Sequence, residues 1–275
     1  MTERKLKRAL LATGTCFMIA FCLVPFVWMI AVSFSKHPDF LGSRKFVATL
    51  ANYVDVLTVR SLHFLDYLRN SLIVSTTVAV VCAMIAAIAA YAISRLRFAG
   101  RMTVSLGVLA LSTFPQISLI GYLYRLMRSL GLINTYPALV LPYVAWTVPL
   151  AFWILLSYMS RIPHDLDDAA IADGASRVLV FRKIVLPIAA PGLLSAMLLI
   201  FIAAFNEFLF ALMLTTDHNA RTIPVGIALF QGLHGEIPWG YIMAASTVAS
   251  VPLVVLAMAF QRYVIQDITR GALKG

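Results

Sequence analysis

An all-α integral membrane fold with six transmembrane helices is the architecture this sequence predicts, and three observations predict it. Hydrophobic residues occupy 61% of the 275 positions and charged residues only 12%, whereas a soluble domain carries roughly a quarter charged residues. The mean hydropathy is +0.89. The apolar residues are also gathered into six runs, at residues 10–34, 68–93, 102–124, 138–159, 192–214 and 241–260. Each is close to the ~20 residues that a helix needs to cross a bilayer.

The first run follows Arg4, Lys5, Lys7 and Arg8, as the apolar core of a signal peptide would. It is longer than the roughly 7–15 residues of a secretory core and no small-x-small cleavage site follows, so it is expected to remain as an uncleaved first helix. In the second run Ala79, Ala83, Ala86, Ala87 and Ala90 recur at helical spacing, leaving one flank thin enough for a close neighbour. The third, fourth and sixth runs contain Pro115, Pro142, Pro149 and Pro252. A proline frees a backbone carbonyl, so these positions are expected to bend the spans around a cavity; ordinary kinks in a packed bundle are the plainer alternative.

The fifth run holds Asn206 and Glu207. An ionised group at mid-bilayer costs about 2.5–3.5 kcal/mol on insertion scales, so it faces a partner or a wet cavity. Glu207 lies about 15 residues into the run, roughly 23 Å along a helix rising 1.5 Å per residue, which places it in the outer half of the membrane. It is read as part of a polar pathway wall with Asn206, or as one end of a helix–helix hydrogen bond that organises the bundle.

Orientation follows from Lys and Arg. About 14 of the 22 lie in the N-terminus, the 94–101 turn, the loop from Arg161 and the C-terminus, and the richer set belongs in the cytosol. Both termini are therefore expected there, with Arg125 and Arg128 on the outer side against the trend. The net charge of +10 is this asymmetry rather than a nucleic-acid footprint, because the basic residues form short clusters and no basic face. Cys16, Cys22 and Cys82 sit inside apolar runs and are expected to fill the core, with no disulfide framework. His37, His63, His164, His218 and His234 fall in loops without metal-ligand spacing or a nucleophile–base pair, so neither a metal nor a catalytic site is expected.

The interval 161–191 is polar and highly organised. Asp165, Asp167 and Asp168 place negative charge at the start of a short helix, with Pro163 suited to its first turn. Gly174 fits a left-handed C-terminal cap. A second helix is expected from Ser176 to Val185, stopped by Pro187, with Pro191 opening the fifth span. On these residues alone the loop is either a capped, solvated hairpin or a slim knob shaped to fit a cleft.

Asp168-Ala169-Ala170, three residues, Gly174, nine residues and Ile184-x-Leu186-Pro187 match at every spacing the EAA loop of ABC-importer permeases. The chain resembles a type-1 permease of that family over about residues 68–262, with Asp168 where the family usually has Glu. Further residues resemble its carbohydrate-uptake branch, as in the smaller permease subunits of maltose and trehalose importers. They are Asn70-Ser71, Phe114-Pro115-Gln116, Leu130-Gly131-Leu132-Ile133-Asn134-Thr135, Leu139-x-Leu141-Pro142-Tyr143, Asn206-Glu207-Phe208-Leu209 and the tail Thr269–Gly275.

The resemblance implies the type-1 importer fold and three regions. Residues 1–67 hold a cytosolic tail, the first helix and an outer loop. Residues 68–262 form the permease domain with its coupling loop at 161–190, and residues 263–275 form a cytosolic tail. It implies that Asp168, Ala169, Ala170, Gly174, Ile184, Leu186 and Pro187 contact an ATP-hydrolysing subunit, and that Gly271 and Lys274 reach toward the same subunits. The implied partners are a second permease subunit, two nucleotide-binding subunits, an extracytoplasmic solute-binding protein and membrane lipid. No Walker A pattern occurs in the chain, so ATP and Mg are expected on the partner and no cofactor on this subunit. Gln116, Tyr122, Tyr143 and Trp146 offer hydrogen-bonding and stacking surface for a polyol along a path with Asn206 and Glu207. A glycerophosphodiester, amino-acid or phosphate cargo fits the same family. A stand-alone proton-coupled transporter using Glu207 is the rival of another class.

Overall fold

The computed structural model describes residues 3–36, 47–230 and 238–272. In chain order the helices are α1 (Glu3–Ser33), α2 (Ala51–Thr58), α3 (Phe64–Arg95), α4 (Arg101–Ser112), α5 (Ile120–Ser129), α6 (Tyr136–Met159) and α7 (Asp165–Ala172). They continue as α8 (Arg177–Val180), α9 (Leu186–Ile188), α10 (Ala190–Phe205), α11 (Leu209–Leu214), α12 (Ile223–Ala228) and α13 (Trp239–Ala272). The only extended pairing among the described residues is a single bridge between Ser35 and Ala48. Helical spans meet the demand of hydrocarbon, since each satisfies its own backbone donors and acceptors.

Four helices are long and apolar enough to cross a bilayer unbroken: Lys5–Ser33, Phe64–Arg95, Tyr136–Met159 and Trp239–Gln261. The other two expected spans are broken. Within the third, Arg101–Ser112 meets Gln116–Ser129 at 90°. The expected fifth, 192–214, is divided into α10 and α11, and α10 instead joins Arg177–Ile188 at 74°; counting each bent pair as one span gives up to six. The bend expected at Pro115 in the third run is present. Pro115 has no N–H to extend α4, and the residue before a proline is biased away from helix, so the chain turns at Thr113–Pro115. Pro142, Pro149 and Pro252, by contrast, lie inside continuous helices. Neighbouring protein groups re-satisfy a freed carbonyl inside a bundle, so a proline there need not break the helix.

The helices fall into two compact units, residues 1–64 with 227–251 and residues 65–226 with 252–275. In the first, Asn52 is the organiser. Its Nδ2 donates to the carbonyls of Ser33 (2.8 Å) and Ser35 (2.9 Å), which closes the C-terminal end of α1 onto α2. The hydroxyls of Ser33 and Tyr53 meet at 2.6 Å, and Tyr241 Oη donates to Asp55 Oδ2 at 2.9 Å. Nearly all of α1 is exposed, including Cys16 and Cys22, so only Cys82 fills a core as expected.

The second unit holds the larger core. The alanine flank of α3 is at most 3% exposed at Ala79, Ala83, Ala86, Ala87 and Ala90. Ala79, Ala86, Ala87 and Ala90 belong to one cluster with Leu139, Tyr143, Phe152, Leu155 and Met159 of α6 and with Ala196, Ile200, Phe201 and Ala204 of α10. α6 and α10 pack side by side, and Gly192 of α10 lies directly on the ring of Tyr158. A Cβ at Gly192 would occupy the space of that ring. Gly192→Ile should therefore destabilise the bundle by about 1–3 kcal/mol through overpacking. The check is the thermal midpoint of the detergent-solubilised protein, which Tyr158→Ala in the same chain should partly restore.

Candidate functional site

The cytosolic elbow is built from α7, α8 and the turn that follows. α7 begins at Asp165 with His164 as its N-cap and no side-chain cap bond, so Pro163 precedes the helix rather than forming its first turn. At the other end Gly174 has φ +88°, a conformation that glycine adopts without penalty. Its N–H donates to Ile171 O (3.0 Å) and the next N–H, of Ala175, to Ala170 O (2.9 Å). That pair is a Schellman cap, which satisfies carbonyls that the helix end would leave open. Ser176 then caps α8, its Oγ accepting from Leu179 N–H at 3.3 Å.

The second helix does not stop at Pro187 as its sequence predicts. From Phe181 to Val185 it widens into a π turn, and α9 carries it to Ile188 before the chain bends at Ala189. The Leu186 N–H reaches back to Phe181 O, a five-residue step in place of four. This shift of register lets Pro187, which has no N–H, enter where an ordinary ladder would lose a bond. Ile184 and Leu186 pack against the core. Asp168, Ala169, Gly174 and Pro187 are exposed and Ala170 is half-buried. The elbow also leaves apolar side chains open, with Leu166 42%, Ile171 39%, Val178 66% and Leu179 48% exposed.

Two residues that sequence reading passed over hold this elbow in place. Arg95, the last residue of α3, forms a buried ion pair with Asp167 (Nε to Oδ2, 2.9 Å) and donates through an Nη to Ile162 O at 2.9 Å. One turn earlier, Tyr91 Oη donates to Arg177 O at 3.3 Å, and its ring packs on Phe181 at 4.9 Å. Arg95 entered the sequence argument only as one of the cytosolic charges. The signal that could have found the pair is Tyr91 and Arg95 at i, i+4, which share a helix face, facing an acidic stretch with one aspartate too many for a cap. Removing one partner of a buried ion pair typically costs about 3–5 kcal/mol.

The candidate pathway residues separate into two groups. Glu207 is buried, and both its carboxylate oxygens accept backbone donors: Oε1 from Phe210 N–H (2.9 Å) and Oε2 from Ala211 N–H (3.2 Å). It therefore caps α11 at a break in the expected fifth span, where α10 ends at Phe205 and Asn206 turns the chain. These bonds run to the next turn of the chain, so they make a local helix cap rather than the helix–helix hydrogen bond of the bundle-organising alternative. Fully buried Tyr143 stands beside it, its hydroxyl near the carboxylate without a well-formed hydrogen bond, and its ring lies 6.2 Å from that of Phe210. Asn206 is exposed and its Nδ2 donates to Ile202 O at 2.8 Å. Tyr122 and Trp146 are exposed and Gln116 is half-buried. Among the described residues, no hydrogen bond or ring contact joins these four to the Glu207–Tyr143 pair. In the C-terminal tail, Gly271 is helical within α13 and Lys274 lies outside the described residues.

Three residues of the carbohydrate-branch pattern staple the segment after α11. Asn70 Nδ2 donates to His218 O (2.9 Å) and Arg221 O (3.0 Å), and its Oδ1 accepts from Tyr136 Oη. Ser71 Oγ accepts from Ile223 N–H at 2.8 Å. Asn134, held at φ 62°, accepts from the N–H groups of Thr216 and Asp217 and donates to Asp217 Oδ1. The backbone N–H of Asn219, then the Asn134 amide, hold the Asp217 carboxyl below its ordinary value.

This arrangement of bent spans around a capped elbow has counterparts. A sequence profile described as the binding-protein-dependent transport system inner membrane component matches residues 79–270. The chain belongs to this family. The permease is 56% identical to the trehalose/maltose transport system permease protein MalG of Thermococcus litoralis, over the full length of both. It is 36% identical to the trehalose transport system permease protein SugB of Mycobacterium tuberculosis, over 94% of each chain. The permease also superposes on a chain of a bacterial ABC transporter involved in import of the acidic polysaccharide alginate. The TM-score there is 0.79 over 96% of this chain and 98% of that one, at 18% identity, a likeness of fold.

The cap at Glu207 has a measurable consequence. Glu207→Ala should remove both acceptors from α11 and destabilise the permease by about 1–2 kcal/mol, the usual range for a lost helix cap. Glu207→Gln keeps one oxygen and should lose less. Thermal midpoints of the two purified variants check this, and equal midpoints would contradict a capping role.

Proposed function

We propose that this permease is one of two transmembrane subunits of an ATP-driven importer, and that its cargo is a sugar of the trehalose and maltose class. One observation carries the reading: the elbow leaves Leu166, Ile171, Val178 and Leu179 open on a loop assigned to the cytosol, away from hydrocarbon. An apolar patch on a polar, well-capped loop is a surface made for a protein. The partner is an ATP-hydrolysing subunit, which binds ATP and Mg; this chain carries no nucleotide motif and acts as the mechanical element. The relatives named for trehalose and maltose support the choice of cargo.

Both termini face the cytosol in this reading, from the Lys and Arg asymmetry. A second permease completes the membrane unit, two nucleotide-binding subunits grip the two elbows, and an extracytoplasmic binding protein delivers the sugar. ATP drives the cycle only if it binds the two conformations unequally; shifting a population from 1:99 to 99:1 needs about 5.5 kcal/mol of that difference.

The test is uptake of radiolabelled trehalose by liposomes holding the complete complex, with ATP inside and binding protein outside. Uptake should require both and should survive a protonophore. Uptake without ATP that the protonophore abolishes would instead favour the proton-coupled alternative. In the same assay Gly174→Val, which places a β-branched residue at φ +88° at a strain of about 1–2 kcal/mol, should lower sugar moved per ATP hydrolysed while leaving membrane insertion unchanged.

A further inference from the structure

The C-terminal turn of α3 is fastened to both halves of the elbow. Arg95 takes α7 by two arms, one to the Asp167 carboxylate at 2.9 Å and one to the Ile162 carbonyl just before the helix at 2.9 Å. Tyr91, on the same helix face four residues earlier, takes the other half through Arg177 O and the Phe181 ring. Two points of attachment fix position and only one orientation, whereas a single contact would let α7 swivel. The side chains of the ion pair are 1% and 9% exposed, so neither solvent nor salt competes strongly for them.

Stability alone does not explain such a pair. Apolar residues of similar volume often serve a buried position as well or better, and the best-attested use of a buried ion pair is to specify register. The arrangement here is consistent with that use. Its charges bridge a 32-residue span to an eight-residue helix that also packs on α8 and the π turn and meets the core through Ala170. The alanine flank then connects α3 to α6 and α10 through one continuous buried cluster. Displacement of α7 thus meets a continuous line of packed contacts leading into the membrane.

We infer that Arg95 and Asp167 are positioning residues for transport: their ion pair is the strut that makes α3 follow α7 when a partner moves the elbow. The inference rests on the importer reading. Without the strut, the elbow yields and ATP is hydrolysed without moving the spans.

The experiment uses the complete complex in liposomes and reads two rates per assembled complex, ATP hydrolysed and trehalose imported. Arg95→Gln and Asp167→Asn should raise ATP used per sugar about tenfold, with hydrolysis itself retained. Asp167→Glu, which keeps the charge, should recover part of the coupling. A merely structural role would lower the amount of complex and leave the ratio untouched, and that result overturns the strut. A proportional fall in both rates overturns it as well. Should the neutral variants fail to assemble, Arg95→Lys is read the same way. It keeps the charge but loses the two-armed grip, so a wild-type ratio there also refutes the inference. Absence of ATP-dependent uptake in the unaltered complex would instead bring down the importer reading, and the strut with it.

Discussion

A backbone group that loses its helical partner costs most where no water can replace it, as in hydrocarbon, and this permease answers several of its breaks with a substitute partner. Where α10 stops, the carboxylate of Glu207 supplies acceptors to the donors of α11. Where Pro187 would cost a bond, the π turn has already changed the register. The elbow ends on a glycine cap that closes two carbonyls at once. An unpartnered buried polar group costs enough, about 1–3 kcal/mol, that a bundle with several unremedied breaks would not persist.

The second theme is closeness. The alanine flank of α3 brings backbones together where there is no hydrophobic gain from association, since lipid tails are as apolar as leucine. Close contact makes the core a rigid body rather than a fluid one, and rigidity lets a few polar attachments at its cytosolic end matter. Arg95 and Tyr91 lie at the end of that stiff helix, facing the most organised loop in the chain.

Much of this was legible from residues alone. The spans at α1, α3, α6 and α13 follow from apolar length, Gly174 from its place after an acidic, alanine-rich turn, and the alanine flank from its spacing. The bends were harder to read. Four prolines look alike in sequence, yet Pro115 turns the chain through 90° while Pro142, Pro149 and Pro252 ride inside helices, because tertiary neighbours decide whether a freed carbonyl is re-satisfied. Glu207 was legible as anomalous but not as a cap, since its partners are backbone groups three and four residues onward in a helix that hydropathy merges with α10. The Arg95–Asp167 pair spans a separation of 72 positions, so Tyr91 and Arg95 at i, i+4 hint at a polar helix face without naming its partner.

The staples at Asn70, Ser71 and Asn134 bear on how this surface can change. All but one of their bonds to residues 216–223 reach main-chain atoms, the exception being the Asp217 carboxylate. The contour of that segment is thus held largely from outside it, while Asp217 and Arg221 add bonds of their own and Ala220, Thr222 and Ile223 are buried. Change is therefore cheapest at the exposed Thr216 and Asn219, whose side chains can be exchanged without redrawing its outline.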